Sequence, residues 1–163
     1  MLPILLYTTV FFWLASLIQI SLLPYWAGDL LFIILFVWSL YFIANIERHR
    51  LKIWYLWLPP IFGSGLSSFL FFSYWMLVPH LIVLAFLTFL ILRRAKWIFR
   101  IREGMLYCLL TFVIFIAAEI LIRSKIFDYS LTFDFYLMLI ISFIISLAAW
   151  AYFILRGRGE KIR

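Results

Sequence analysis

The sequence predicts an all-α integral membrane protein, a bundle of six transmembrane helices with both termini in the cytoplasm. Three observations lead there: an extreme apolar composition, six apolar runs cut by charged or turn-forming breaks, and basic residues gathered almost wholly on one side. Of 163 residues, 68% are hydrophobic and 22% aromatic, and only 13% are charged. Ordinary globular domains hold about 45–50% apolar residues, so water would meet far more apolar surface here than a soluble helical bundle can hide. A bilayer solvates such side chains while helices satisfy the backbone internally.

The runs fall at about 4–23, 29–46, 53–72, 76–92, 104–123 and 131–155. About 20 residues rising 1.5 Å each span the hydrocarbon layer. The fourth run is short at its narrowest and is expected to extend through Tyr74 and Trp75. The first has no Lys or Arg ahead of it, unlike a signal peptide, and is expected to be a retained helix. Brief connections such as Pro24 to Asp29 make neighbouring helices antiparallel hairpins. With no linker, long loop, low-complexity tract or internal repeat, residues 1–163 form a single polytopic transmembrane domain. Trp26, Trp54, Trp57, Trp75 and Trp97 lie near span ends, where an indole anchors in the headgroup layer.

Orientation comes from Lys and Arg, which resist translocation. All 14 lie at or after Arg48. Twelve follow the second, fourth and sixth spans, and only Arg123 and Lys125 fall on the opposite side, so both ends are expected inside. This placement also explains the net charge of +7 without invoking nucleic acid. Arg93, Arg94, Lys96, Arg100 and Arg102 alternate with Trp97, Ile98, Phe99 and Ile101, so this segment orients the chain and suits contact with anionic lipid or a cytoplasmic partner.

Ionisable groups are costly in hydrocarbon, and each is a candidate for function. Glu119 is the carboxylate well inside an apolar run; Arg123 one turn further along offers a local ion pair, the bland alternative to a partner or ligand contact. His80 near the outer start of the fourth span suits an interhelical hydrogen bond. A lone histidine is not a metal site, and His49 belongs to the other end, so no metal is expected. Gln19 and Asn45 are expected to link helices. In the third span, Pro59-Pro60 predicts a kink. Gly63, Gly65, Ser67 and Ser68 predict close packing within the chain or against a partner helix.

Catalytic chemistry finds no foothold. Gly63-Ser64-Gly65 is similar to the nucleophile of intramembrane rhomboid proteases, but Phe62 stands where a glycine is needed and the sixth span has no histidine. No HExxH, paired-Asp, GxSxG or Walker pattern occurs. Cys108 is the single cysteine, so no internal disulfide or thiolate cluster can form. The chain is read as a non-enzyme without cofactor.

In outline the sequence resembles the rod shape-determining protein MreD family. The family's Gln followed by Leu-Leu-Pro at the end of the first span reads here Gln19-Ile20-Ser21-Leu22-Leu23-Pro24, and its Asp opening a Leu-rich second span is matched by Asp29-Leu30-Leu31. Gly63 to Ser68 and Leu77-Val78-Pro79-His80 match a small-residue third span and the start of the fourth. The acidic residue expected after the third-span glycines is missing, with Ser68 and Phe69 in its place. The resemblance implies a multi-pass scaffold of the bacterial cytoplasmic membrane, serving cell shape and peptidoglycan synthesis in the elongation machinery. It would bind an MreC-like partner and, through it, connect MreB filaments to RodA and its transpeptidase. Two other readings stand beside it. One is a substrate-binding component of an energy-coupling-factor transporter for a vitamin or metal, although the first helix offers only Ala15 where such proteins carry an Ala-x-x-x-Ala face. The other is a lipid-modifying or lipid-moving protein.

Overall fold

Six α-helices and one short 3₁₀ turn make up the computed structural model, which describes residues 2–21, 29–45, 52–71, 74–94, 101–126 and 133–159. The helices are α1 (Leu2–Ser21), α2 (Leu30–Asn45), α3 (Leu58–Phe71), α4 (Tyr74–Arg94), α5 (Ile101–Ile126) and α6 (Phe133–Gly159). No strand occurs among the described residues. Arg102–Ile122 of α5 and Phe135–Leu155 of α6 are each long and apolar enough to cross a membrane. Only 33% of each stretch is buried, whereas the core helix of a soluble protein is covered on most sides. Shorter apolar stretches run over Pro3–Ile18, Leu30–Asn45 and Leu77–Arg93.

The second helix stands at the centre. It packs against α1, α4 and α6 and meets α5 through its rings: Phe32 stacks on Phe115 at 4.1 Å, and Phe36 faces Tyr107 at 6.1 Å. From Leu31 to Ile43 nearly every α2 side chain is buried, which a helix apolar all round requires. Around it, α3 packs on α1 and α4, α5 on α4, and α6 on α5.

Hydroxyls inside this bundle bond mainly to their own helices. Thr9 donates to the Leu5 carbonyl, Ser39 to Phe36, Thr88 to Leu84 and Thr111 to Tyr107. This back-bonding satisfies a polar group without water. Asn45, expected to link helices, does the same, its amide donating to the Tyr41 carbonyl; an i−4 carbonyl is simply the nearest acceptor. The Gln19 side chain lies outside the described residues.

The third run differs from its prediction. Ile53–Leu56 is a 3₁₀ turn, and α3 begins only at Leu58, so Pro59 and Pro60 open a helix instead of kinking one. The first residues of a helix have no intrahelical acceptor for their N–H groups, and two prolines there forfeit nothing. The ladder starts at the next residue, where the Ile61 N–H donates to the Trp57 carbonyl. At 14 residues α3 is about 21 Å long. The fourth run behaves as expected and starts at Tyr74.

At Gly63 the third helix comes close to the first. A Cβ on Gly63 would lie 2.6 Å from Phe12 Cβ, 2.6 Å from the Thr9 carbonyl oxygen and 2.9 Å from the Trp13 nitrogen. Two backbones meet here, and only glycine permits it. Gly65 has nothing within 4 Å of the same point, so one glycine serves the α1–α3 contact and its neighbour looks outward. Trp57, expected as an anchor, is tied inward, its Nε1–H donating to Thr88 Oγ1 at 2.9 Å; Trp54 is exposed and stacks on Tyr55.

Candidate functional site

Three ionisable side chains from three elements converge beside the start of the central helix. Asp29 is 1%, His80 8% and Glu119 3% exposed, and one ligating atom from each lies within 4.8 Å of the others. Burying carboxylates and an imidazole together is expensive unless they compensate one another. His80 Nε2 lies 2.9 Å from Asp29 Oδ1; because an ionised carboxylate only accepts, the ring nitrogen donates.

Each residue is placed by its helix. Asp29 caps α2: its Oδ1 accepts from the Phe32 N–H at 2.8 Å, and its carbonyl accepts from Ile33 at 3.1 Å. An aspartate at this position answers an unpaired helix donor and complements the helix dipole. Its own N–H donates to Ser142 Oγ at 2.6 Å, and that hydroxyl donates onward to the Met138 carbonyl at 2.8 Å. Thus α6 locks the cap from outside the helix. His80 is the seventh residue of α4, about 9 Å in from its start, and its ring lies 5.7 Å from that of Phe115. Glu119 sits about two turns before the end of α5. The cluster therefore lies near one end of the bundle, roughly 10 Å inside it.

A small cavity of about 10 Å³ adjoins it, lined by Phe12, Leu31, Pro60, Ser64, His80 and Leu84 among others. That is close to the space one water needs. The buried Ser64 belongs to this wall.

The sequence-derived candidates separate accordingly. His80 and Glu119, separate candidates in the sequence, are brought together and joined by Asp29 and Ser142, which residue types alone do not place there. With 113 residues between Asp29 and Ser142, no spacing in the sequence announces their meeting. Glu119 stands inside the cluster; the side chain of Arg123, its expected ion-pair partner, lies outside the described residues. Gly63 is used internally and Gly65 is open, and the side chains of Ser67 and Ser68 lie outside the described residues. Of the basic segment, Arg93 is exposed with its guanidinium 5.6 Å from the Phe89 ring centre, and Arg102 is exposed. Lys96, Arg100 and the Arg94 side chain lie outside the described residues.

No protein-family model, no curated protein and no solved structure matches the chain.

Proposed function

We propose that this chain is a six-span protein of the bacterial cytoplasmic membrane, with both ends inside, acting as a non-catalytic scaffold of the cell-elongation machinery in the manner of the MreD family. One observation carries the reading: among the described residues, the polar groups within the apolar runs are mostly buried, and the surface those runs offer is apolar. Tyr7 and Phe11 of α1, Phe62 and Leu66 of α3, Leu109 and Leu121 of α5, and Ile144 and Leu155 of α6 are all exposed. Such faces suit lipid and partner helices. The bias of basic residues toward three of the connections supports the orientation.

The test is co-expression with the MreC-like protein of the same cell and purification through a tag on that partner. Recovery of this chain in a fixed ratio supports the scaffold. A chain that stays behind, yet purifies with an energising ATPase pair, would replace it. Topology is tested separately by a reporter fused after Arg163, expected to be active only in the cytoplasm.

A further inference from the structure

We infer that Asp29, His80 and Glu119 form a binding site for one divalent transition-metal ion of the zinc or manganese class, held inside the bundle where α2, α4 and α5 meet. The donor set is one imidazole nitrogen and two carboxylates, the mixture that zinc and manganese accept and that thiolate-seeking ions do not. The atoms are already close. His80 Nε2 and Asp29 Oδ1 stand 2.9 Å apart; two ligands at about 2.05 Å from a metal subtend about 90° at that separation, the octahedral angle, and about 0.4 Å of further opening gives the tetrahedral one. The three ligating atoms lie within 4.8 Å of one another, which exceeds a trans pair of ligands by at most about 0.7 Å, within reach of side-chain adjustment.

Charge points the same way. In the metal-bound form, two ionised carboxylates and a neutral imidazole bring −2 as ligands, which a divalent ion cancels. The N-terminus of α2 opposes a cation with about +0.5 of partial charge, a quarter of what the carboxylates supply. Asp29 can ligate and still cap α2, because a carboxylate offers about four lone-pair sites. Metal binding takes the Nδ1–H tautomer of His80: the proton on Nε2 passes by way of water to Nδ1, the ring stays neutral, and the hydrogen bond to Asp29 is exchanged for two metal–ligand bonds. Around the ligands stands a supporting shell: Ser142 Oγ holds the Asp29 backbone and the Phe32 N–H holds its carboxylate, the outer contacts that fix metal ligands in place.

The full chain is purified in mild detergent through a tag that binds no metal, equilibrated with Zn²⁺ or Mn²⁺, passed through desalting resin and assayed for metal by mass spectrometry. About one equivalent is expected to remain, and His80→Gln and Glu119→Gln are each expected to weaken binding at least tenfold, on the order of a ligand loss or more. A second readout needs no variant: Co²⁺ added to the wild-type protein should give a visible ligand-field band that Zn²⁺ abolishes. Absence of both retained metal and the cobalt band overturns the site and leaves a hydrogen-bonded clamp. So does an equivalent that both folded variants keep unchanged, which would mark an adventitious ion. The site does not depend on the scaffold reading: a chain that holds metal but never purifies with an MreC-like partner keeps this inference and loses the other.

Discussion

Two contacts hold this bundle by opposite means. Between α1 and α3 the joint is made of absence: Gly63 has no side chain, so the backbone of one helix reaches that of the other at Thr9 and Trp13. At the head of α2 the joint is made of charge, with Asp29, His80 and Glu119 buried together and braced by Ser142. Dispersion between close backbones needs only a small residue on one side. A buried polar cluster needs every member, since removing one leaves the others uncompensated. The first contact should therefore degrade in proportion to added volume, and the second should fail all at once.

The sharpest way to break this contrast is Asp29→Ala, which removes the cap of α2 and a carboxylate of the cluster together. Breaking a buried charged pair costs about 3–5 kcal/mol, and loss of an N-cap adds about 1 kcal/mol. The expected outcome is a chain that extracts poorly and loses its unfolding transition in detergent. Asp29→Asn, which still caps, should recover part of the loss; if alanine and asparagine behave alike, the charge is not what matters. Next in size is Gly63→Leu. Its Cβ alone would lie 2.6 Å from backbone and Cβ atoms of α1, and overpacking of this kind costs about 1–3 kcal/mol, read as a lower thermal midpoint. Gly63→Ala should show the same effect in smaller measure.

Ser142→Ala is gentler and tests the brace alone. It removes the acceptor of the Asp29 N–H, and a buried donor left unpaired costs about 1–3 kcal/mol, so the thermal midpoint should fall while the helix content by circular dichroism is kept. A midpoint equal to that of the wild type would mean that another acceptor reaches this N–H, and the link between α2 and α6 would lose its role.

The two joints also differed in how far the sequence revealed them. Gly63 announced itself, because a glycine within a run of small residues in an apolar segment has few uses other than close approach, and the partner helix was the one thing left open. The polar cluster did not. Glu119 and His80 were conspicuous as ionisable residues in apolar runs, but their meeting depends on three helix registers and on α2 beginning inside the bundle, where Asp29 is 1% exposed. Side-chain periodicity says which way a residue points around its own helix and nothing about depth relative to another. Boundaries show the same limit: residues 53–72 are apolar throughout by the broad pattern, yet Pro59 and Pro60 sit where only the local hydrogen-bond ladder could tell a kink from a beginning.

Gly65 gives the smallest effect and the finest discrimination. It lies two residues from Gly63 on the same helix, with nothing within 4 Å of the point where a Cβ would stand. If α3 contributes to the fold only through its Gly63 face, Gly65→Ala meets no obstacle and gains the helix preference of alanine, worth about 0.5–1 kcal/mol. The thermal midpoint of the isolated chain should then rise slightly, the reverse of Gly63→Ala. A fall would show that another helix of this chain reaches Gly65 in the membrane, making the open face an internal one. Because partner helices also favour small residues for close approach, the same variant divides fold from function. A chain that is more stable alone yet recovers less well with an MreC-like partner would place that partner against the outward side of α3.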